Sequence, residues 1–172
     1  TFISAVGTLK ANESIIVRPQ EGGVIKTVSF SSGEYVKKGE VLLELDDRVL
    51  QAQLQEALAK RDTRKAEYDR AESLFVKKAY PKSKRDEALG AYKVAKSSVD
   101  LMQAKVKQSV LSAPFDGIVG LKDVSVGAYI KPGEEIVSLD NVDPILIDFR
   151  ISEIHLDKVK VGQVVQVEID GF

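Results

Sequence analysis

Apolar and polar positions along the chain change period, and each change marks a different kind of element. Val24, Val28, Val36 and Leu42–Leu45 form short β-rich runs bounded by turn residues. From Asp47 the pattern turns helical. Asp47–Lys78 and Ser83–Ser109 are rich in Ala, Leu, Glu, Lys, Gln and Arg, with Gly90 the one internal glycine and no internal proline. In the second segment Leu89, Tyr92, Ala95, Val99, Met102, Val106 and Val110 recur every three or four residues, a narrow seam of the coiled-coil kind. The first carries Leu50, Leu54, Ala57 and Leu58, then Tyr68, Ala71 and Phe75, with a polar middle at Arg61, Arg64 and Lys65.

The two helical segments meet at Lys78-Ala79-Tyr80-Pro81-Lys82-Ser83. Pro81 is expected to stop the first helix, and Ser83 with Asp86 to cap the second. So short a connection makes the helices antiparallel neighbours. At 1.5 Å per residue the resulting rod reaches about 40 Å. Past Asp140 the chain returns to alternation in Ile145–Ile151 and Val161–Ile169, around a Ser152–Lys158 stretch suited to one or two helical turns. With Phe2–Leu9 as a further strand, these predict a β-barrel-like module.

Flanking the helices is a repeat. Gly23–Asp46 (GVIKTVSFSSGEYVKKGEVLLELD) and Gly117–Asp140 (GIVGLKDVSVGAYIKPGEEIVSLD) align without a gap, 94 residues apart, with identity at 9 of 24 positions. Gly23, Gly33 and Gly39 match Gly117, Gly127 and Gly133, and Tyr35 and Lys37 match Tyr129 and Lys131. Glycines held at such spacings mark turns or close strand approach. Each copy is too small to close a core, so the two are expected to bury their apolar faces as one sandwich.

Composition narrows the chemistry. Of 172 residues 44% are hydrophobic and 30% charged, ordinary for a folded chain and not for a disordered one. Lys+Arg 25 against Asp+Glu 26 lacks the basic excess that nucleic-acid binding needs. There is no cysteine, which removes disulfides, thiolate metal sites and catalytic thiols. No apolar run approaches the roughly 20 residues of a membrane span. No secretory leader opens the chain either, and it reads as a piece of a longer protein.

The run G-x-x-V-x-x-G-x-x-L at Gly33–Leu42 is similar to the approach to the modified lysine of biotin and lipoyl carriers. Asp47 and Asn141 stand in the cargo slots of the two copies, so a carrier role is disfavoured and no cofactor is expected. The Asp46–Asp47 pair suits a general acid or a metal, yet Asp140 occupies the same place in the second copy, which favours capping or closing a turn. A lone His155, beside Glu153 and Asp157, fits a packing or surface role. No catalytic and no metal residue is assigned, and an enzyme is not expected.

The order of half-motif, helical hairpin, half-motif and barrel strands resembles the periplasmic adaptors, or membrane fusion proteins, of Gram-negative tripartite efflux pumps of the resistance–nodulation–division type. Val17-Arg18-Pro19, Gly22–Ile25, Gly33–Leu42, Ala113–Val119 and Gly127–Gly133 carry the likeness. It implies a mixed β and α fold, a lipoyl-like sandwich split by an antiparallel α-helical hairpin and followed by a partial β-barrel. The implied divisions are 1–14 (barrel strand), 15–46 (first half of the sandwich), 47–110 (hairpin), 111–141 (second half) and 142–172 (barrel strands).

The resemblance also implies partners. An outer-membrane channel would meet the hairpin tip, an inner-membrane transporter the barrel end, and copies would form a ring of six in the periplasm. The parent would be anchored to the inner membrane by an N-terminal segment and would support export of drugs or other small molecules. An adaptor of an ABC-type or type I secretion system has the same architecture. The family's tip motif of Arg, three residues, Leu, six residues, Ser maps onto Arg70 and Leu74, with Pro81 in place of the serine and Ser83 two residues on. The basic end at Lys77, Lys78, Lys82, Lys84 and Arg85 is either a solvated tip or a docking surface. Glu67–Arg70 and Glu56–Lys60 read as helix-face pairs.

Overall fold

The computed structural model describes residues 4–168. β1 (Gly7–Lys10) and β2 (Glu13–Val17) precede the first repeat, which contributes β3 (Gly23–Val28), β4 (Tyr35–Val36) and β5 (Val41–Leu45). Helices α1 (Arg48–Val76) and α2 (Lys82–Gln108) come next, then β6 (Val110–Ser112). The second repeat supplies β7 (Gly117–Val119), β8 (Tyr129–Ile130) and β9 (Val137–Asn141), followed by β10 (Leu146–Phe149) and a 3-10 helix at Glu153–Lys158.

The repeats exchange strands instead of folding side by side. One sheet runs β2-β9-β7-β4 and the other β6-β5-β3-β8, so each draws on both copies. Strands β4 and β8 are two residues long and cannot satisfy their own backbone, so each pairs with the opposite repeat, β4 with β7 and β8 with β3. The hydrogen bonds obey the 94-residue offset. Gly33 N–H donates to the Val119 carbonyl and Gly127 N–H to the Ile25 carbonyl, both at 2.9 Å. Ile25 N–H donates to Ala128 (2.8 Å) and Val119 N–H to Glu34 (3.0 Å).

Between the sheets Ile25, Val36, Leu43, Val119, Ile130 and Leu139 are shut off from solvent. Leu42 and Leu43 are both buried although neighbours in a strand face opposite sides. A register shift between Val41 and Leu43 against β6 turns the strand locally, as a bulge does. Ser14 also lies within the sandwich sheet, since β2 pairs with β9 from Glu13 onward. The lipoyl-like sandwich is thus split by the helical hairpin, and the antiparallel β1–β10 ladder forms the half-barrel beside it, closed at one point by a Lys10–Asp148 ion pair.

Backbone groups at the hairpin's foot are tied to the sandwich. Leu45 N–H donates to the Ser109 carbonyl and Asp46 N–H to the Val24 carbonyl, each at 2.8 Å. Buried Ser109 also donates its hydroxyl to Val106 at 2.6 Å. Above this foot the seam is thin. Ala57, Ala71, Ala95 and Val99 are its buried side chains, and small residues there let the helices approach closely. Tyr68 and Tyr92 stack across it with ring centres 6.1 Å apart. At 29 and 27 residues the helices reach about 40 Å. Among the described residues no helix is long and apolar enough to cross a membrane.

Several expectations are corrected by the fold. Ser83 does not cap α2. Pro81 is its N-cap residue, no side chain caps the first turn, and Ser83 sits inside the helix. Pro81 does not stop α1 either, because that helix ends at Val76 in its own backbone motif. Glu67 pairs with Arg64 at 2.7 Å and leaves Arg70 without an ion pair among the described residues, and Glu56 and Lys60 form none. Val161–Glu168 forms no strand, since Gly162 turns the chain (φ 91°) and no neighbour offers a ladder. Ile169 and Phe2 lie outside the described residues.

Candidate functional site at the hairpin tip

Lysine stands where helices usually place glycine. α1 closes in a Schellman motif, with Ala79 N–H donating to the Leu74 carbonyl and Lys78 N–H to the Phe75 carbonyl, both at 2.8 Å. This motif needs a left-handed residue, and Lys78 takes that role at φ 58°. A side chain there costs about 1–2 kcal/mol. Lys78→Gly is therefore expected to stabilise the chain by about 0.5–1 kcal/mol, the relief exceeding the extra freedom of glycine in the unfolded state. A urea midpoint that rises at unchanged slope is the check.

The tip gathers the four residues singled out from the sequence. Arg70 lies exposed on α1, and Leu74 is half-buried one turn later. Pro81 and Ser83 are exposed at the start of α2. Val76 (70% exposed) and Tyr80 (43%) present apolar surface beside them. Lys77, Lys78 and Lys82 make no ion pair among the described residues, whereas Lys84 is taken up by Glu87 at 3.0 Å. The tip thus combines free cations with apolar side chains on a tightly fixed turn. That chemistry suits a partner surface with acidic or carbonyl groups around an apolar recess.

Arg85 does not belong to that outward cluster. Its guanidinium turns inward over the Phe75 ring, 4.9 Å from the centroid. In the sequence it was one more basic residue of the tip, and nothing in its spacing pointed to Phe75.

Elsewhere the arrangement is structural. In the K-x-G-E turns Gly39 (φ 85°) and Gly133 (φ 78°) take the left-handed conformation that a type II-like turn requires. Glu40 and Glu134 accept from the Lys37 and Lys131 N–H groups at 2.9 and 2.8 Å. Gly117 is a close approach, where an added Cβ would sit 2.7 Å from the Asp140 carbonyl oxygen. At Gly23 a Cβ would meet nothing nearer than 3.5 Å.

Asp46 is bound to Arg48. Side-chain hydrogen bonds from Arg48, then its backbone N–H, hold the Asp46 carboxyl down at about 2 from the ordinary 3.8. A carboxyl that low is ionised at neutral pH and cannot serve as a general acid. Asp47 instead accepts from Gln51 Nε2 at 2.8 Å, in the position a carrier would give to its lysine. No group of three His, Cys, Asp or Glu able to hold a metal occurs among the described residues. Where the seam turns polar, an open cleft of about 360 Å³ lies between the helices, lined by Arg61, Asp62, Lys65, Lys96 and Asp100.

Comparison with known proteins matches this architecture throughout. The RND MFP barrel-sandwich hybrid domain model fits residues 13–141. A Haemophilus influenzae protein is 33% identical over 169 residues, 98% of this chain and 44% of its own length. The solvent efflux pump periplasmic linker SrpA of Pseudomonas putida is 33% identical over 134 residues, 77% of this chain and 35% of SrpA. A crystal structure of a MacA–MexA chimera containing the Pseudomonas aeruginosa MexA α-hairpin superposes with a TM-score of 0.79 at 26% identity, over 91% of this chain and 57% of the chimera. The chain spans less than half the length of these two curated relatives. The domain model covers the whole strand-exchanged sandwich together with the hairpin that splits it, and the chain belongs to the RND membrane fusion protein family.

Proposed function

We propose that the chain is the adaptor section of a periplasmic efflux assembly and does no chemistry of its own. The hairpin tip engages an outer-membrane channel, the half-barrel end faces an inner-membrane transporter, and six copies form a ring. The parent is held at the inner membrane by an N-terminal segment, and the cargo is a small molecule. One observation carries this reading. A strand-exchanged sandwich clamps the foot of a rod about 40 Å long, whose far end carries ammonium groups without an ion pair among the described residues beside exposed Val76 and Tyr80. The family match and the efflux linker among the relatives support it. In a ring, weak contacts at each tip multiply into avidity without a single strong site.

Photo-cross-linking in cells tests the proposal. A photoreactive phenylalanine analogue at Val76 should trap an outer-membrane channel protein, and the same group at Val49, near the rod's foot, should not. Equal trapping at both positions, or none at Val76, counts against tip docking.

A further inference from the structure

We infer that Arg85 is the positioning residue of the hairpin tip, locking the first turn of α2 onto the last turns of α1 so that the docking side chains are presented in one arrangement. The inference rests on the proposed docking role of the tip.

The first turn of α2 lacks the usual means of holding itself. Pro81 offers no side-chain cap, and no acidic residue stands in that turn. Lys82 and Lys84 place positive charge where the helix dipole is already positive, which is unfavourable. Where the turn meets the preceding residue, the Lys84 and Arg85 N–H groups share one acceptor, the Pro81 carbonyl, at 3.1 and 3.4 Å. A side-chain cap and a favourable first-turn charge, two of the local means of holding a helix start, are thus both missing here.

Arg85 supplies the missing restraint from across the seam. Its guanidinium carbon lies 4.9 Å from the centre of the Phe75 ring, within cation–π range. Its Nε is closed off from solvent and makes no hydrogen bond, but lies at ion-pair distance, 3.4 Å, from carboxylate oxygens of both Glu72 and Asp86. Among the described residues Arg85–Glu72 is the one ion pair that joins the two helices; the other pairs of the hairpin stay within a helix. The contacts continue down the rod, because Tyr68, whose hydroxyl lies 3.5 Å from a Glu72 carboxylate oxygen, stacks on Tyr92 of α2. Phe75 and Leu74 both lie in the last turns of α1, and their carbonyls together close its Schellman motif, so a restraint on Phe75 acts on the backbone that carries Leu74.

The test compares Arg85→Ala, Arg85→Met and Arg85→Lys in the full-length protein, with Leu74→Ala as the control for docking. Two readouts are taken: amide exchange at Lys84–Leu89 and export in cells lacking the native adaptor. Arg85→Ala and Arg85→Met should each lose at least tenfold of the exchange protection in that turn, with amides of the sandwich unaffected. Arg85→Lys, which keeps the cation over Phe75, should stay within about threefold. Export should follow the same order at equal protein levels. Met performing as well as Lys would reduce Arg85 to packing and overturn the inference, as would unchanged protection in Arg85→Ala. Loss of export in Leu74→Ala but not in Arg85→Ala overturns the inference and leaves the docking proposal standing. If Leu74→Ala exports normally, the docking proposal fails, and the positioning of tip side chains for it fails too.

Discussion

Leu139→Ala is expected to lower the melting temperature of the chain by about 5–20 °C. Leu139 is fully buried on β9, the strand that joins β2 to β7 in its sheet. Its backbone is registered against Ile15 on one side and Val119 on the other. Its δ1 methyl lies 3.2 Å from the place a Cβ on Gly117 would take, so the strands around it have little room to move. Truncating a leucine in such a site costs about 2–5 kcal/mol, through lost transfer free energy and an unfilled cavity. For a chain of this length each kcal/mol corresponds to roughly 2–4 °C. The hairpin has a thin, alanine-rich seam and cannot compensate. Thermal unfolding followed by circular dichroism gives the answer, and a shift below about 2 °C would place Leu139 outside the cooperative core.

The second large effect is functional. Replacing Arg70 and Leu74 together by alanine should reduce export to the level of a strain without the adaptor, while the dichroism spectrum stays that of the parent. Among the described residues Arg70 has no ion pair to lose, and it stands exposed. Leu74 is only half-buried, and its carbonyl, not its side chain, closes the Schellman motif. The exposed Arg70 is spared structural duties, and the dichroism spectrum controls for the part of the Leu74 side chain that is buried. Acting as the hot spots of the proposed contact, the two would contribute about 2 kcal/mol or more each, arginine being among the residue types enriched there. Losing both would weaken a single contact by roughly a thousandfold, and a ring multiplies the loss over its copies. Normal export in the double variant would exclude tip docking at these residues.

How much of this was legible beforehand differs from element to element. The helical insert was plain, because a seam recurring every three or four residues over more than twenty positions is a local, periodic signal. Tyr92, Ala95, Val99, Met102 and Val106 do face α1 with partial or full burial. The matched glycines of the repeat were equally plain, and they announced two equivalent sets of strands. The terminal alternation misled at Val161–Glu168, since alternation reports a face that prefers burial but cannot provide the neighbour that a strand requires.

The tip was legible in its composition but not in its geometry. Five basic residues appeared as one patch, yet they divide three ways in space. Lys77, Lys78 and Lys82 are free, Lys84 is paired along its own helix, and Arg85 is folded back over Phe75. Ser83 had the residue type and spacing of a cap, but the backbone started the helix two residues earlier, with Pro81 as the N-cap and Lys82 the first helical residue.

By itself the sequence determined the repeat, the length and antiparallel order of the helices, and the absence of a carrier lysine at Asp47 and Asn141. These follow from residue type and short-range spacing. Tertiary structure alone decided that the repeats exchange β4 and β8 and that Arg85 reaches Phe75 across the seam. Each of these depends on hydrogen bonds or contacts between residues that only packing brings together, and no local preference of the chain encodes which partner wins.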